Sequence, residues 1–154
     1  MYSIAKDLPL SEITLRRYEK PGEIKGRELV RRLCLSLGLL QPGDSRDVIV
    51  DILIVLLNAR KNKEELDSKQ IAERVIEQRK QANVPLLGIA HSNVRRQLKR
   101  LKDILIVEAN ITRYRLTEFL PLREVFKEKS GGYLLKSIID RVHEYLDSVD
   151  KEFS

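Results

Sequence analysis

Apolar residues recur at helical spacing through most of the chain, and the period changes only once. Over 26–40, Leu29, Leu33 and Leu37 mark a helix that Gln41-Pro42-Gly43-Asp44 ends. Asp44 or Ser45 caps a second helix running to about Asn62. There Val48, Ile49, Ile52, Leu53, Val55, Leu56 and Leu57 cover most of the circumference, so it must be buried as the spine of a domain or within a subunit interface. Asp67 with Gln70 three residues on is a capping box, and Ile71, Val75 and Ile76 form the inner face of the helix it opens. Asn83-Val84-Pro85-Leu86-Leu87-Gly88 breaks that helix. His91 or Ser92 caps the next, in which Val94, Leu98, Leu101 and Leu105 make one stripe.

Beyond this point strands are predicted. Leu105 to Glu108 reads as a strand, Ala109 to Ile111 as a tight connection, and Thr112 to Thr117 as the returning strand. Tyr114 and Leu116 share one face of it, Arg113 and Arg115 the other. A hairpin this small has to pack on the helices. Pro121 opens a short helix that Ser130-Gly131-Gly132 ends. The final helix, Tyr133 to about Phe153, carries Leu135, Ile139, Val142, Leu146, Val149 and Phe153 at heptad spacing. Residues 1–25, with Pro9, Pro21 and Gly22, read as an arm holding at most one turn of helix.

Composition narrows the class. Isoleucine, leucine and valine dominate the apolar residues and tryptophan is absent, which favours helices packed on aliphatic side chains. The single cysteine, Cys34, forbids a disulfide framework and points to a reducing cytoplasm, where it serves as a small buried hydrophobe. Met1 to Asp7 show no apolar leader, and the run from Val48 to Leu57 is interrupted by Asp51 and too short to span a bilayer. No membrane association is expected.

The net charge of +6 is unevenly spread: residues 1–45 carry +2, residues 46–118 carry +5 and residues 119–154 carry −1. Between 78 and 102 there are seven basic residues and no acidic one. Such a stretch is a footprint for a polyanion, or else a solvated helix face.

A helix, a capped helix, a basic helix and a hairpin, in that order, resemble the winged helix-turn-helix transcription regulators, broadly the MarR and ArsR groups. The resemblance covers residues 67–117. It rests on Ser68-Lys69-Gln70-Ile71-Ala72-Glu73, on Ser92-Asn93-Val94-Arg95-Arg96-Gln97-Leu98-Lys99-Arg100-Leu101, and on Val107-Glu108 with Arg113-Tyr114-Arg115-Leu116-Thr117. Two features depart from the pattern. The connection between the second and third of these helices is long, holding Gln78 to Ala90, and Leu105 stands near the place of the glycine that commonly follows the third, so that helix is expected to end without a left-handed glycine cap.

The resemblance implies a mainly α fold with a small β-hairpin: an N-terminal arm and helix (1–44), a winged-helix DNA-binding domain (45–118) and a C-terminal helical dimerisation segment (119–154). It implies sequence-specific binding of double-stranded DNA by a homodimer acting in transcriptional regulation. On a helical wheel with Val94, Leu98 and Leu101 inward, the outward sector holds Ser92, Arg96, Lys99 and Asp103, flanked by Asn93, Arg95 and Arg100. Asn93 and Arg96 suit bidentate contacts to adenine and guanine. Lys99, Arg100 and Lys102 suit phosphates, and Arg113 and Arg115 the backbone or a minor groove. The alternatives are a winged helix that contacts protein in replication or transcription machinery, and a non-specific architectural DNA binder.

Enzyme chemistry finds little inventory. His91 and His143, the only histidines, stand in separate elements without ligands at metal spacing, and Gly131-Gly132 is followed by no Lys-Ser/Thr. The expectation is therefore no catalysis, no cofactor, no metal and no evident small-molecule ligand.

Overall fold

The computed structural model describes residues 7–154. Met1 to Lys6, read above as the start of the arm and as lacking a leader, lie outside the described residues. Asp7 lies in a 3₁₀ turn, and from Leu8 to Lys25 the chain forms no helix or strand, only bends and a turn at Gly22-Glu23. The elements that follow are α1 (Gly26–Ser36), α2 (Val48–Lys61), β1 (Leu66–Asp67), α3 (Ser68–Gln81), α4 (His91–Asp103), β2 (Val107–Asn110), β3 (Arg113–Leu116), a 3₁₀ turn (Thr117–Phe119), α5 (Leu122–Val125), a π-helical stretch (Phe126–Leu135) and α6 (Lys136–Glu152). The protein is thus mainly helical, with one three-stranded antiparallel sheet of order β1-β3-β2. Among the described residues no helix is long and apolar enough to cross a membrane.

α2 is the spine. Val48, Ile49, Val50, Ile52, Leu53, Val55, Leu56 and Ala59 are all buried, against α1, α3, α4 and β3 of the same chain, so this helix is not left for a subunit interface. Its N-cap is Asp47, not Asp44 or Ser45, and no side chain bonds there. On α1 it is Cys34 and Leu35 that go inside, while Leu29 stays 40% exposed. Burial pushes the Cys34 thiol from an ordinary 9.0 up to about 12, so it stays protonated and unreactive near neutrality.

Four helices end alike. After α1, α2, α3 and α4 the chain turns left-handed at Gly38, Lys63, Asn83 and Leu105. In each case the next amide reaches back to the carbonyl five residues earlier: Leu39 to Cys34, Glu64 to Ala59, Val84 to Arg79 and Ile106 to Leu101. These are Schellman caps. Leu105 thus forms a left-handed cap without glycine, and the predicted strand begins two residues later, at Val107. A side chain at positive φ costs about 1–2 kcal/mol. Lys63 is exposed at φ 51, so Lys63→Gly is expected to raise stability by about 0.5–1 kcal/mol in urea denaturation, glycine's own entropy cost included.

The chain does not break at Gly131-Gly132. The backbone stays helical from α5 through α6, widening to π turns between Phe126 and Leu135. A Cβ on Gly132 would stand 2.6 Å from the Lys127 carbonyl oxygen, so the glycine permits the wide turn instead of ending the helix. Ser130 donates to the Ile104 carbonyl at 2.6 Å and Leu134 is buried, fixing this stretch to the core.

Candidate nucleic-acid interface

The surface around α4 is built from four supports. The first is the capping box at α3: the Asp67 carboxylate accepts from the Gln70 amide at 2.8 Å, and the Asp67 amide donates to Gln70 Oε1 at 2.9 Å. The second is β1, which pairs Asp67 with Arg113 and Leu66 with Tyr114. The third joins the starts of α3 and α4, where Ser68 Oγ lies 3.0 Å from His91 Nε2. Asp67, paired with Arg113, and Ser68, bonded to His91, thus link β3 to the start of α4 through adjacent residues. His91 is the first residue of α4 and the N-cap is Ala90, so neither His91 nor Ser92 acts as the cap.

The fourth support holds the connection, which is shorter than predicted because α3 continues to Gln81. Arg79 donates through Nε to the Pro85 carbonyl at 2.8 Å, and Asn93 donates to the Gly88 carbonyl at 2.7 Å. Arg79 belongs to no polyanion footprint. It is 1% exposed and bonds Asp47, the N-cap of α2, and Asp51 within that helix. Arg27 reaches both carboxylates as well, at 3.0 and 3.1 Å, and Arg31 lies 3.9 Å from Asp47. Burial disfavours the Arg27 charge, but hydrogen bonds to Asp51 and Asp47 outweigh it and hold its pKa above the ordinary value.

On α4, Val94, Leu98 and Leu101 are buried and Ser92, Arg95, Arg96, Lys99 and Lys102 are exposed. Arg95, Arg96, Lys102 and, on β3, the exposed Arg113 make no ion pair among the described residues. Lys99 bonds Asp103 at 3.1 Å, but with side chains 74% and 59% exposed that pair contributes about 0.5 kcal/mol or less and yields readily to a phosphate. The other predicted contacts are engaged inside the chain. Asn93 holds Gly88 and accepts from Gln97 at 3.1 Å. Arg100 is half-buried, bonding Gln97 at 2.8 Å and the Gly38 carbonyl at 3.3 Å, and so braces α4 against the end of α1. Arg115 bonds Glu108 at 2.9 Å and stacks 4.8 Å above the Phe119 ring.

One cation escaped the sequence reading. Arg46, 81% exposed along its side chain and 3.9 Å from Asp44, lines a cleft of about 390 Å³ with Asp44, Asn93, Arg96, Gln97 and Arg100. Nothing near Arg46 in sequence marks it, because α1 and α2 carry their connection to α4 only through the fold. The hairpin tip is Ile111, 92% exposed at φ 59. Comparison of the chain with family models, with curated proteins and with solved structures finds no match.

Proposed function

We propose that this chain is a winged-helix protein that binds duplex DNA sequence-specifically, as a homodimer, and regulates transcription by occupying its site. The observation that carries this reading is the division of α4. One face is buried in the core, Arg96 and the weakly held Lys99 point away from it, and Arg95 and Lys102 stand unpaired and exposed on the flank. A rigid, cationic, outward helix beside a small antiparallel sheet suits insertion into a major groove with the hairpin on the flanking backbone. Asn93 and Arg100 act here as braces, and Arg46 extends the cationic surface.

Arg96 faces outward near the start of α4 and has the fork geometry for guanine, whereas Lys99 is a flexible point charge. After selection of a preferred site from random duplexes, Arg96→Ala is expected to weaken that site by about 1–3 kcal/mol and relax one position. Lys99→Ala is expected to weaken all duplexes alike and lower the log–log salt slope by about one. Uniform loss for both variants contradicts the base-reading role of Arg96.

A protein-contact reading draws on Leu86 and Leu87, 40% and 52% exposed in the connection before α4. It predicts that Leu87→Ser abolishes partner capture while the Arg96 variant leaves it intact.

A further inference from the structure

α6 stands away from the core. None of its 17 residues is buried, and it meets the core through the partly buried Ile138. Its heptad stripe lies open: Ile139 is 44% exposed, Val142 50%, Leu146 54%, Val149 53% and Phe153 83%. A stripe this continuous, left exposed along the length of the helix, needs a cover.

We infer that the cover is α6 of a second copy running antiparallel, with Leu146 on the partner's Val142 and Ile139 on the partner's Val149. This deepens the homodimer reading above and rests on it. The first argument is charge. Leu135 to His143 carry +1, whereas Glu144 to Ser154 carry −3, with Glu144, Asp147, Asp150 and Glu152 against Lys151 alone. That order opposes the helix's own macrodipole, which favours acids at the N-terminus and bases at the C-terminus. An antiparallel partner lays each acidic half on a basic one. In the register set by the stripe, Lys136 stands beside the partner's Asp150, twice per dimer. A parallel pair instead stacks acidic half on acidic half and gains no flanking charge pair.

The second argument is shape. Leu8 and Leu10 of the arm stand off from Ile138, Val142 and Tyr145, leaving a cleft of about 640 Å³ along the N-terminal half of α6. Antiparallel pairing brings the partner's Leu146, Val149 and Phe153 to that end. A parallel pair carries them away from it.

The arrangement has a consequence for DNA. At 1.5 Å per residue, the two copies of Leu135 lie about 27 Å apart along the pair, so the globular units sit at opposite ends. Half-sites should then be centred one helical turn or more apart.

The test uses the full chain with Ile139→Cys or Val149→Cys. Native Cys34 is 0% exposed and does not interfere. Antiparallel pairing separates like positions by about 15 Å, beyond disulfide reach, and brings 139 against 149. Light scattering is expected to show dimers before oxidation. Each single variant is expected to stay uncrosslinked on oxidation, and an equal mixture to give a covalent heterodimer. Crosslinking of Ile139→Cys alone overturns the antiparallel arrangement in favour of a parallel one. Dimers without any crosslink put the interface elsewhere, and monomers overturn the homodimer itself. None of these readouts uses DNA, so failure of DNA binding is recognised separately.

Discussion

Asp51→Leu is expected to be the most damaging single substitution in the chain, costing about 4–5 kcal/mol in urea denaturation, with Arg79→Met milder at about 3 kcal/mol. The difference follows from the charge count in the buried cluster. Arg27, Arg31 and Arg79 converge on Asp47 and Asp51, three cations on two anions. Removing Asp51 leaves three guanidinium groups around one carboxylate, and Arg79, 1% exposed, keeps only Asp47 at 3.3 Å. Removing Arg79 leaves two cations for two anions, both already reached by Arg27, and the main orphan is the Pro85 carbonyl. Arg79→Met should therefore also loosen the connection before α4 and weaken DNA binding beyond its effect on stability. Equal cost for the two variants means that the carboxylates gain little from Arg27 and Arg31.

Gly38→Ala is expected to cost about 2–4 kcal/mol and to release the N-terminal arm. Two penalties add at this position. Gly38 sits at φ +68, where a side chain costs about 1–2 kcal/mol. A Cβ there also meets the Thr14 carbonyl oxygen at 2.5 Å and the Thr14 Cβ at 2.6 Å, a backbone clash that the arm resolves only by moving, at about 1–3 kcal/mol. The arm is held at the same point by Arg16, whose amide donates to the Ser36 carbonyl at 2.9 Å and whose guanidinium bonds the Leu35 and Leu40 carbonyls. Limited proteolysis should cut the variant near residues 10–20 well before wild type. Wild-type resistance in the variant means the arm does not lie over Gly38.

What was legible in the sequence is local. The Asp67–Gln70 capping box spans four residues and forms as the sequence predicts, and the α4 wheel buries Val94, Leu98 and Leu101 as its spacing requires. The misses share a dependence on distant partners. β1 is two residues long and becomes a strand only because β3 passes beside Leu66 and Asp67. Arg79 looked like one more surface cation, since its carboxylates lie 28 and 32 residues away. Asn93 and Arg100 carry suitable chemistry for DNA, yet the turn at Gly88 and the end of α1 take their donors first. Gly131-Gly132 was read as a stop because glycine is poor in helices, whereas here its missing side chain is what admits the π turn.

The central claim is that the free cations of α4 and β3 meet a polyanion, and the most direct test is a salt titration of the full chain on a selected duplex. Four phosphate contacts per protomer, from Arg95, Lys99, Lys102 and Arg113, predict a log–log slope of about −4, near −8 for a dimer on two half-sites. Affinity should then fall steeply between low and moderate salt while the ranking of duplex sequences persists. An affinity that stays flat across that range contradicts the account.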